Sequence, residues 1–322
     1  MYNKYMKIAI VKLSALGDIV HSMVVLQYIK KQIPNAAIDW FVEEKFAGIL
    51  ENNPHINNIH KLKLKNNKLG FLNEYKKLKK LTPYDIVIDL QGLIKSAIVS
   101  KILGKQVIGF DKNSLREPLA SLFYTKSFAI AYEENVIIRN ITLTCKALKL
   151  KVPDLQIKEP FLYSNSKLEF KPTLLICVGS SWKSKIYPKE QFIEVINALH
   201  VDTFIAWGHE SEKDNAEFIS DRTEAKVLPK LSLDELKNVI SNSSLVIGGD
   251  SGPTHMAWAL NTPSITIFGP TPSQRNSLVT DINLTIDCGK DIDANTLDKS
   301  DFCIKHIEAK KIISLAERLL KC

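Results

Sequence analysis

Residues 245–266 read LVIGGDSGPTHMAWALNTPSIT. An apolar run of strand length, 245–248, ends in Gly248-Gly249-Asp250-Ser251-Gly252-Pro253, and a helical pattern carrying His255 follows. A strand, a tight glycine turn and a helix opened by a small hydroxyl residue and a proline make one strand–turn–helix unit. Unpaired backbone N–H groups and the positive end of the helix dipole converge at such a turn, which suits a phosphate or diphosphate. His255 on an apolar helix face is more often a hydrogen-bonded core histidine than a ligand. Asp250, after a buried strand and before a glycine turn, is harder to explain as structure alone. The run continues through a further strand, 264–268, into Phe268-Gly-Pro-Thr271.

The same alternation spreads in both directions. Strand patterns fall at 7–11, 38–42, 86–89 and 106–109, then at 174–178, 203–207, 226–228, 245–248 and 264–268. Helical patterns at 19–32, 72–81, 93–103 and 136–148 separate the first series. Those at 189–199, 212–220, 233–241 and 254–260 separate the second. Two series of alternating strands and helices predict two Rossmann-like α/β domains with mostly parallel sheets. The expected boundaries are 1–155 and 172–303, joined by a linker with prolines at 153, 160 and 172. A last amphipathic stretch, 304–322, is expected as a helix that packs back on the first domain. Ligands of open parallel sheets bind beyond the carboxyl ends of the strands, so two such domains facing each other would share one cleft.

Composition bounds the function. At 322 residues, 45 % hydrophobic and 24 % charged, the chain is an ordinary globular one and not a disordered one. No apolar run reaches spanning length. Met1–Met6 leads straight into KIAIVKL without a signal-peptide core, so a cytoplasmic protein is expected. Five scattered cysteines show no metal-ligand spacing and read as reduced thiols. Residues 1–160 carry 25 Lys and Arg against 14 Asp and Glu, a net +11; the remainder carries 18 against 21, a net −3. The first half is the one expected to meet an anionic partner or membrane face. It lacks a nucleic-acid-binding motif or interleaved aromatics, so no nucleic-acid partner is expected.

Further constellations follow strands. Lys12-Leu-Ser14-Ala-Leu-Gly17-Asp18-Ile-Val-His21 trails the first strand. Gly17 permits close approach of a ligand, and Asp18 is either a helix cap or a general base on a hydroxyl nucleophile. Gly179-Ser180-Ser181-Trp-Lys-Ser-Lys185 offers hydroxyls and lysines to a diphosphate leaving group, or is a solvated loop. Trp207 and Glu212 can frame a nucleoside, or serve as a core indole and a first-turn acid. Arg116, before an apolar helical run, and Arg139, on the 136–148 helix, can clamp a carboxylate or phosphate. The segment 61–80 holds eight lysines and one acid, a solvated face or one that meets anionic headgroups.

In their order, these segments resemble glycosyltransferase family nine, the lipopolysaccharide heptosyltransferases with their GT-B fold. KLSALGDIVH is similar to that family's opening motif, and GGDSGPTHMAWALNTPSITIFGPT to its donor-site segment. FVEEKFA (41–47), DLQGLIKSA (89–97) and REPLASLFY (116–124) are similar to the subfamily that adds the first heptose to Kdo. The resemblance implies an inverting transferase moving L-glycero-D-manno-heptose from ADP-heptose to Kdo-lipid A, with no cofactor and no metal. It implies Asp18 as the catalytic base. Ser180, Ser181 and Lys185 would meet the donor diphosphate, Trp207 and Glu212 the nucleoside, and Asp250 the heptose hydroxyls. Ser251, Gly252 and His255 would complete the phosphate and sugar site. Arg116 and Arg139, with Ser14 and Gly17, would face the acceptor. A lipid-linked acceptor implies peripheral contact with the anionic cytoplasmic face of the inner membrane of a Gram-negative bacterium. Family relatives usually carry threonines where Ser180 and Ser181 stand, a change that keeps the hydroxyls.

Three readings compete. One is a family-nine enzyme acting later in the core, or on another sugar. A dinucleotide-dependent oxidoreductase lacks its glycine fingerprint here, since 14–18 offers a single glycine. A non-catalytic sugar-phosphate binder would hold nucleotide without turnover.

Overall fold

A computed structural model describes residues 5–64, 67–81, 83–154 and 158–321, without the side chains of residues 67–72. The 155–157 part of the expected linker, and Lys65 and the Lys68 side chain of the 61–80 segment, therefore lie outside the described residues. Two compact units divide at Met1–Phe161 and Leu162–Cys322.

The first unit runs β1 (Lys7–Val11), α1 (Leu16–Met23), α2 (Val25–Gln32), β2 (Ala37–Glu43), β3 (Asn58–Leu62), α3 (Asn67–Lys79), β4 (Ile86–Asp89), α4 (Ile94–Leu103), β5 (Val107–Phe110), β6 (Lys126–Phe128) and α5 (Val136–Leu148). All its strand pairs are parallel, in the order β3-β2-β1-β4-β5-β6. Continuous apolar runs such as Ile8–Val11 form the middle of the sheet because helices cover both faces there.

The second unit runs β7 (Leu174–Cys177), α6 (Lys189–Leu199), β8 (Thr203–Ala206), α7 (Glu210–Ser220), β9 (Lys226–Val227), α8 (Leu233–Ser241), β10 (Leu245–Gly249), α9 (Gly252–Leu260), β11 (Ser264–Phe268), α10 (Ser273–Asn276), β12 (Asn283–Asp287) and α11 (Ala309–Leu320). Its parallel order is β12-β11-β10-β7-β8-β9. In both sheets the chain steps one way from the first strand and later returns to its other side. The reversal lies between β1 and β4 in one unit and between β7 and β10 in the other. Loops leaving adjacent strands in opposite directions open a crevice at such a point.

Three strands escape the sequence pattern: β3, β6 and β12. All three are sheet edges, where one side of the strand is unpaired and polar residues are tolerated. NIHKL and NLTID therefore lack the apolar continuity of central strands. The helix expected over 19–32 is two helices, α1 and α2, and the first begins at Leu16. The stretch after 304 opens as a short turn, Cys303–His306, and continues as α11. Ile312, Ala316 and Leu319 join the core of the second unit, and α11 packs on α6. Tyr187 Oη donates to the Ile307 carbonyl at 2.8 Å, and Ala309 N–H donates to Gln191 Oε1 at 2.9 Å, which pins that approach. Among the described residues no helix is long and apolar enough to cross a membrane.

Candidate active site

In the second unit, loops after β7, β8, β10 and β11 collect at the C-terminal edge of the sheet. β10 is buried throughout, so its end delivers Asp250 into the interior, where it is 4 % exposed. A solitary carboxylate would be costly there. This one is surrounded: Lys185 Nζ lies 2.6 Å from Oδ2, Thr271 Oγ1 donates to the same oxygen at 2.8 Å, and His255 Nε2 lies 2.9 Å from Oδ1. Burial alone would raise the Asp250 pKa, but the Lys185 ammonium and then His255 hold it far below the usual carboxylate range. Asp250 is thus a fixed anion that aims Lys185. An ammonium has three donors, so the pair leaves Lys185 able to bind a second anionic group.

Lys185 arrives on a short turn, Lys183–Lys185. That turn closes on the end of β10 because residue 249 is glycine: a Cβ there would lie 2.7 Å from the Lys185 carbonyl oxygen. Ser180 Oγ donates to the Asp250 carbonyl at 3.3 Å, while Ser181 is exposed. Helix α9 starts directly after Asp250, with Ser251 at its N-cap and Gly252 and Pro253 in the first turn. The Ser251 and Ser184 hydroxyls are buried without a hydrogen-bond partner. The α9 N-terminus, an aimed ammonium and an unpartnered hydroxyl together can receive an anion.

The loop after β8 adds the other pair. Trp207 Nε1 donates to the Leu228 carbonyl at 2.8 Å, and the half-buried ring lies under Lys213 and Lys230. Glu212 Oε2 accepts from the Gly208 and His209 N–H groups at 2.7 and 3.2 Å, capping α7. Its carboxylate also lies against residue 179, where a Cβ would stand 2.2 Å from Glu212 Cδ. Both residues therefore do structural work, and Glu212 keeps Oε1 toward the β7 loop.

In the first unit, Asp18 is exposed in the opening turn of α1, and its Oδ2 accepts from Ala15 N–H at 3.2 Å. The helix-cap reading is realised, and one oxygen stays open. Gly17 and Ser14 are half-buried beside it. The loop is fastened to the one after β4: Leu13 and Ser14 N–H both donate to Gln91 Oε1 at 3.1 Å, and Lys12 Nζ donates to the Leu90 carbonyl at 3.2 Å. Behind it sits Asp89, fully buried, accepting from Gln91 and Gly92 N–H, Ser96 Oγ and Tyr124 Oη. Burial raises its pKa, against the pull of those donors.

The two arginines part company. Arg116 is exposed. Arg139 is 6 % exposed, and its guanidinium donates to the carbonyls of Ile130, Ala131 and Ser114 while stacking 4.4 Å from the Phe110 ring. The acceptor-clamp expectation for Arg139 meets a side chain whose donors hold two loops together. Lys61, Lys63 and Lys77 of the lysine-rich segment pair with Glu51, Glu44 and Glu74. Sequence reasoning missed Thr271, Gln91, Asp89 and Tyr124 as site supports. Their signals were the FGPT turn and the DLQG and REPLASLFY segments, quoted only for resemblance. Among the described residues no group of three His, Cys, Asp or Glu side chains is placed to hold a metal ion.

Comparison with known proteins bears on this geometry. The model of "Glycosyltransferase family 9 (heptosyltransferase)" matches residues 75–299. Lipopolysaccharide heptosyltransferase 1 of Campylobacter coli is 45 % identical over 98 % of this chain and 99 % of that protein. The structure of E. coli heptosyltransferase WaaC with ADP superposes with a TM-score of 0.82 at 25 % identity, covering 98 % of this chain and 100 % of the other. WaaC with ADP-2-deoxy-2-fluoro heptose gives 0.79 at 26 % identity, covering 97 % and 99 %.

Proposed function

The chain belongs to glycosyltransferase family 9, the heptosyltransferases, and from that membership we propose a donor, an acceptor and a division of labour among its residues. It is a glycosyltransferase that moves heptose in building the lipopolysaccharide inner core. The donor is ADP-heptose, whose 2-fluoro analogue is bound by the similar WaaC. The acceptor is the Kdo of Kdo-lipid A.

The observation that carries the donor assignment is the Asp250–Lys185 pair at the head of α9. The diphosphate rests on the α9 N-terminus with Ser251 and Gly252, Ser180 and Ser181 at its side, and Lys185 on the bridging oxygen. The ion pair is neutral overall, so its pull comes from aimed N–H donors and the helix end rather than from excess charge. Glu212 takes the ribose with Oε1, and the Trp207 ring borders the base. His255 and Asp250 fix the sugar side of the site.

An acceptor hydroxyl oxygen attacks the anomeric carbon from the face opposite the diphosphate. The bond from that carbon to the phosphate oxygen breaks, its electron pair leaves with ADP, and the hydroxyl proton passes to Asp18. Single displacement inverts the anomeric centre. The positive charge that builds on the sugar resembles that of glycoside hydrolysis. Asp18 serves because its carboxylate is exposed with one oxygen open, and Gln91 steadies its loop. Arg116 receives an anionic group of the acceptor, while Arg139 shapes the loops around it.

The enzyme works as a peripheral protein on the cytoplasmic face of the inner membrane, its basic first unit toward the anionic lipid. Association should weaken as salt rises. The test of the reaction is turnover of ADP- and UDP-sugars on a defined Kdo acceptor, for the wild type and Asp18→Ala. ADP-heptose should lead, and the variant should lose roughly 10²–10⁴-fold in kcat, the usual worth of a general base. Near-normal kcat in the variant would sink the assignment of Asp18.

A further inference from the structure

Two leucines in one short turn stand in solvent: Leu119 is 62 % exposed and Leu122 78 %. The turn, Pro118–Phe123, is held firmly from below. Ala120 is buried, the turn packs on α4, and Glu117 Oε2 accepts from Ile94 N–H at 2.7 Å. Side chains this apolar, on a rigid support, are not placed outward by local disorder. Their neighbours select the partner. Lys112, Arg116 and Lys126 are exposed around the turn. The two acids of residues 111–126 are engaged inward, Asp111 on Ser114 Oγ and Glu117 on α4. The outward face of residues 111–126 therefore combines apolar tips with exposed cations. That matches an anionic bilayer, whose headgroups meet the cations while the leucines enter the acyl boundary. Two leucines are too little surface for a stable protein interface, and reversible lipid partition needs no more.

Position strengthens the case. β5 ends at Phe110, so the segment that bears the turn leaves the same C-terminal edge of the sheet as the loops carrying Asp18 and Gln91. Glu117 ties the turn to the start of α4, directly after the Gln91 loop.

We propose that the Pro118–Phe123 turn is the membrane-inserting element of the chain, its leucines dipping into an anionic lipid surface on the acceptor side of the first unit. This rests on the peripheral-membrane reading above and names the segment that makes the contact. Vesicle co-sedimentation of the full chain tests it, with phosphatidylcholine alone or mixed with phosphatidylglycerol, at low and physiological salt. The wild type should bind the mixed vesicles. L119S/L122S should bind them roughly 10- to 100-fold more weakly, the worth of two partly inserted leucines. V279S removes an equally exposed side chain from the second unit, 62 % exposed, and should bind as the wild type does. On a delipidated, water-soluble Kdo acceptor, L119S/L122S should keep wild-type kcat.

Failures are separable. Wild-type binding that survives in L119S/L122S overturns the turn assignment and leaves the peripheral reading standing. Absence of wild-type binding to either vesicle removes both. Equal weakening by V279S points to general stickiness and overturns the proposal, as does a change of oligomeric state in L119S/L122S by light scattering.

Discussion

Replacing Asp250 by asparagine keeps its shape and removes its charge, so it isolates what the carboxylate does for Lys185. The lysine side chain is 11 % exposed and its ammonium sits 2.6 Å from Oδ2. In D250N the ammonium would stay buried without a counter-ion, and the new amide nitrogen would oppose either Lys185 and Thr271 or, if flipped, His255. Breaking a buried pair on one side costs about 3–5 kcal/mol, because a desolvated charge is left behind. For a domain of this size each kcal/mol shifts the midpoint by about 2–4 °C, so D250N should melt roughly 6–20 °C lower. Loss of an aimed donor at the leaving group should lower kcat by roughly 10²–10³-fold.

The decisive comparison is the cycle with K185M. The double variant D250N/K185M removes both charges and should be more stable than D250N, since no lone ammonium remains. Thermal melts and urea titrations of the four proteins give the coupling, expected at about 2 kcal/mol or more. The pH dependence supplies a second check. Asp250 has a folded pKa far below its unfolded value, so between them the unfolded chain binds more protons. Its contribution is complete above about pH 5 and fades as pH falls through about 4, the unfolded carboxylate range. That acid limb should be missing from D250N. A melting point within about 2 °C of wild type, or single-variant losses that simply add, would refute the idea that Asp250 anchors Lys185.

Gly179→Ala places a Cβ where the Glu212 carboxylate lies, and the flexible acid should swing away. Stability should change by under about 1 kcal/mol, while ADP affinity by calorimetry falls roughly tenfold or more; G179A/E212A should bind no worse than E212A. Arg139→Met should lower the melting temperature, since three carbonyls lose a shared buried donor, at roughly 2–4 kcal/mol in total. Arg116→Ala should instead leave melting unchanged and raise the acceptor KM. A reversed pattern, with R116A unstable and R139M merely weak in acceptor binding, would exchange their roles.

How much of this was legible depends on where apolar surface decides. Central strands such as Ile86–Asp89 and Ser264–Phe268 are buried on both faces, and their residue runs announced them to the residue. β3 carries Asn58, His60 and Lys61 because it is an edge, and its partner contacts, not its own composition, make it a strand. The acid in the first turn of α1 was likewise readable, and Asp18 accepts there from Ala15 N–H. Contacts between distant loops were not. Nothing in the spacing of Gln91 says that its side chain holds the Leu13 and Ser14 amides, or in Thr271 that it reaches Asp250. Arg139 shows the same limit from the other side, since only burial reveals that its donors are already engaged.

Asp18 and Asp250 look alike in the sequence, each beside a glycine, after a strand and at the start of a helix. Each also lies at the reversal point of its own sheet. Burial separates their chemistry. A general base must be reachable and able to gain a proton near working pH. Asp250 has three partners on two oxygens and a pKa driven far below the ordinary range, so protonation during turnover would require dismantling the Lys185 site. Asp18 gives one oxygen to a single backbone N–H and is open to solvent. In the proposed reaction acid–base work therefore falls to Asp18, and Asp250 takes the electrostatic role of holding Lys185 toward the diphosphate.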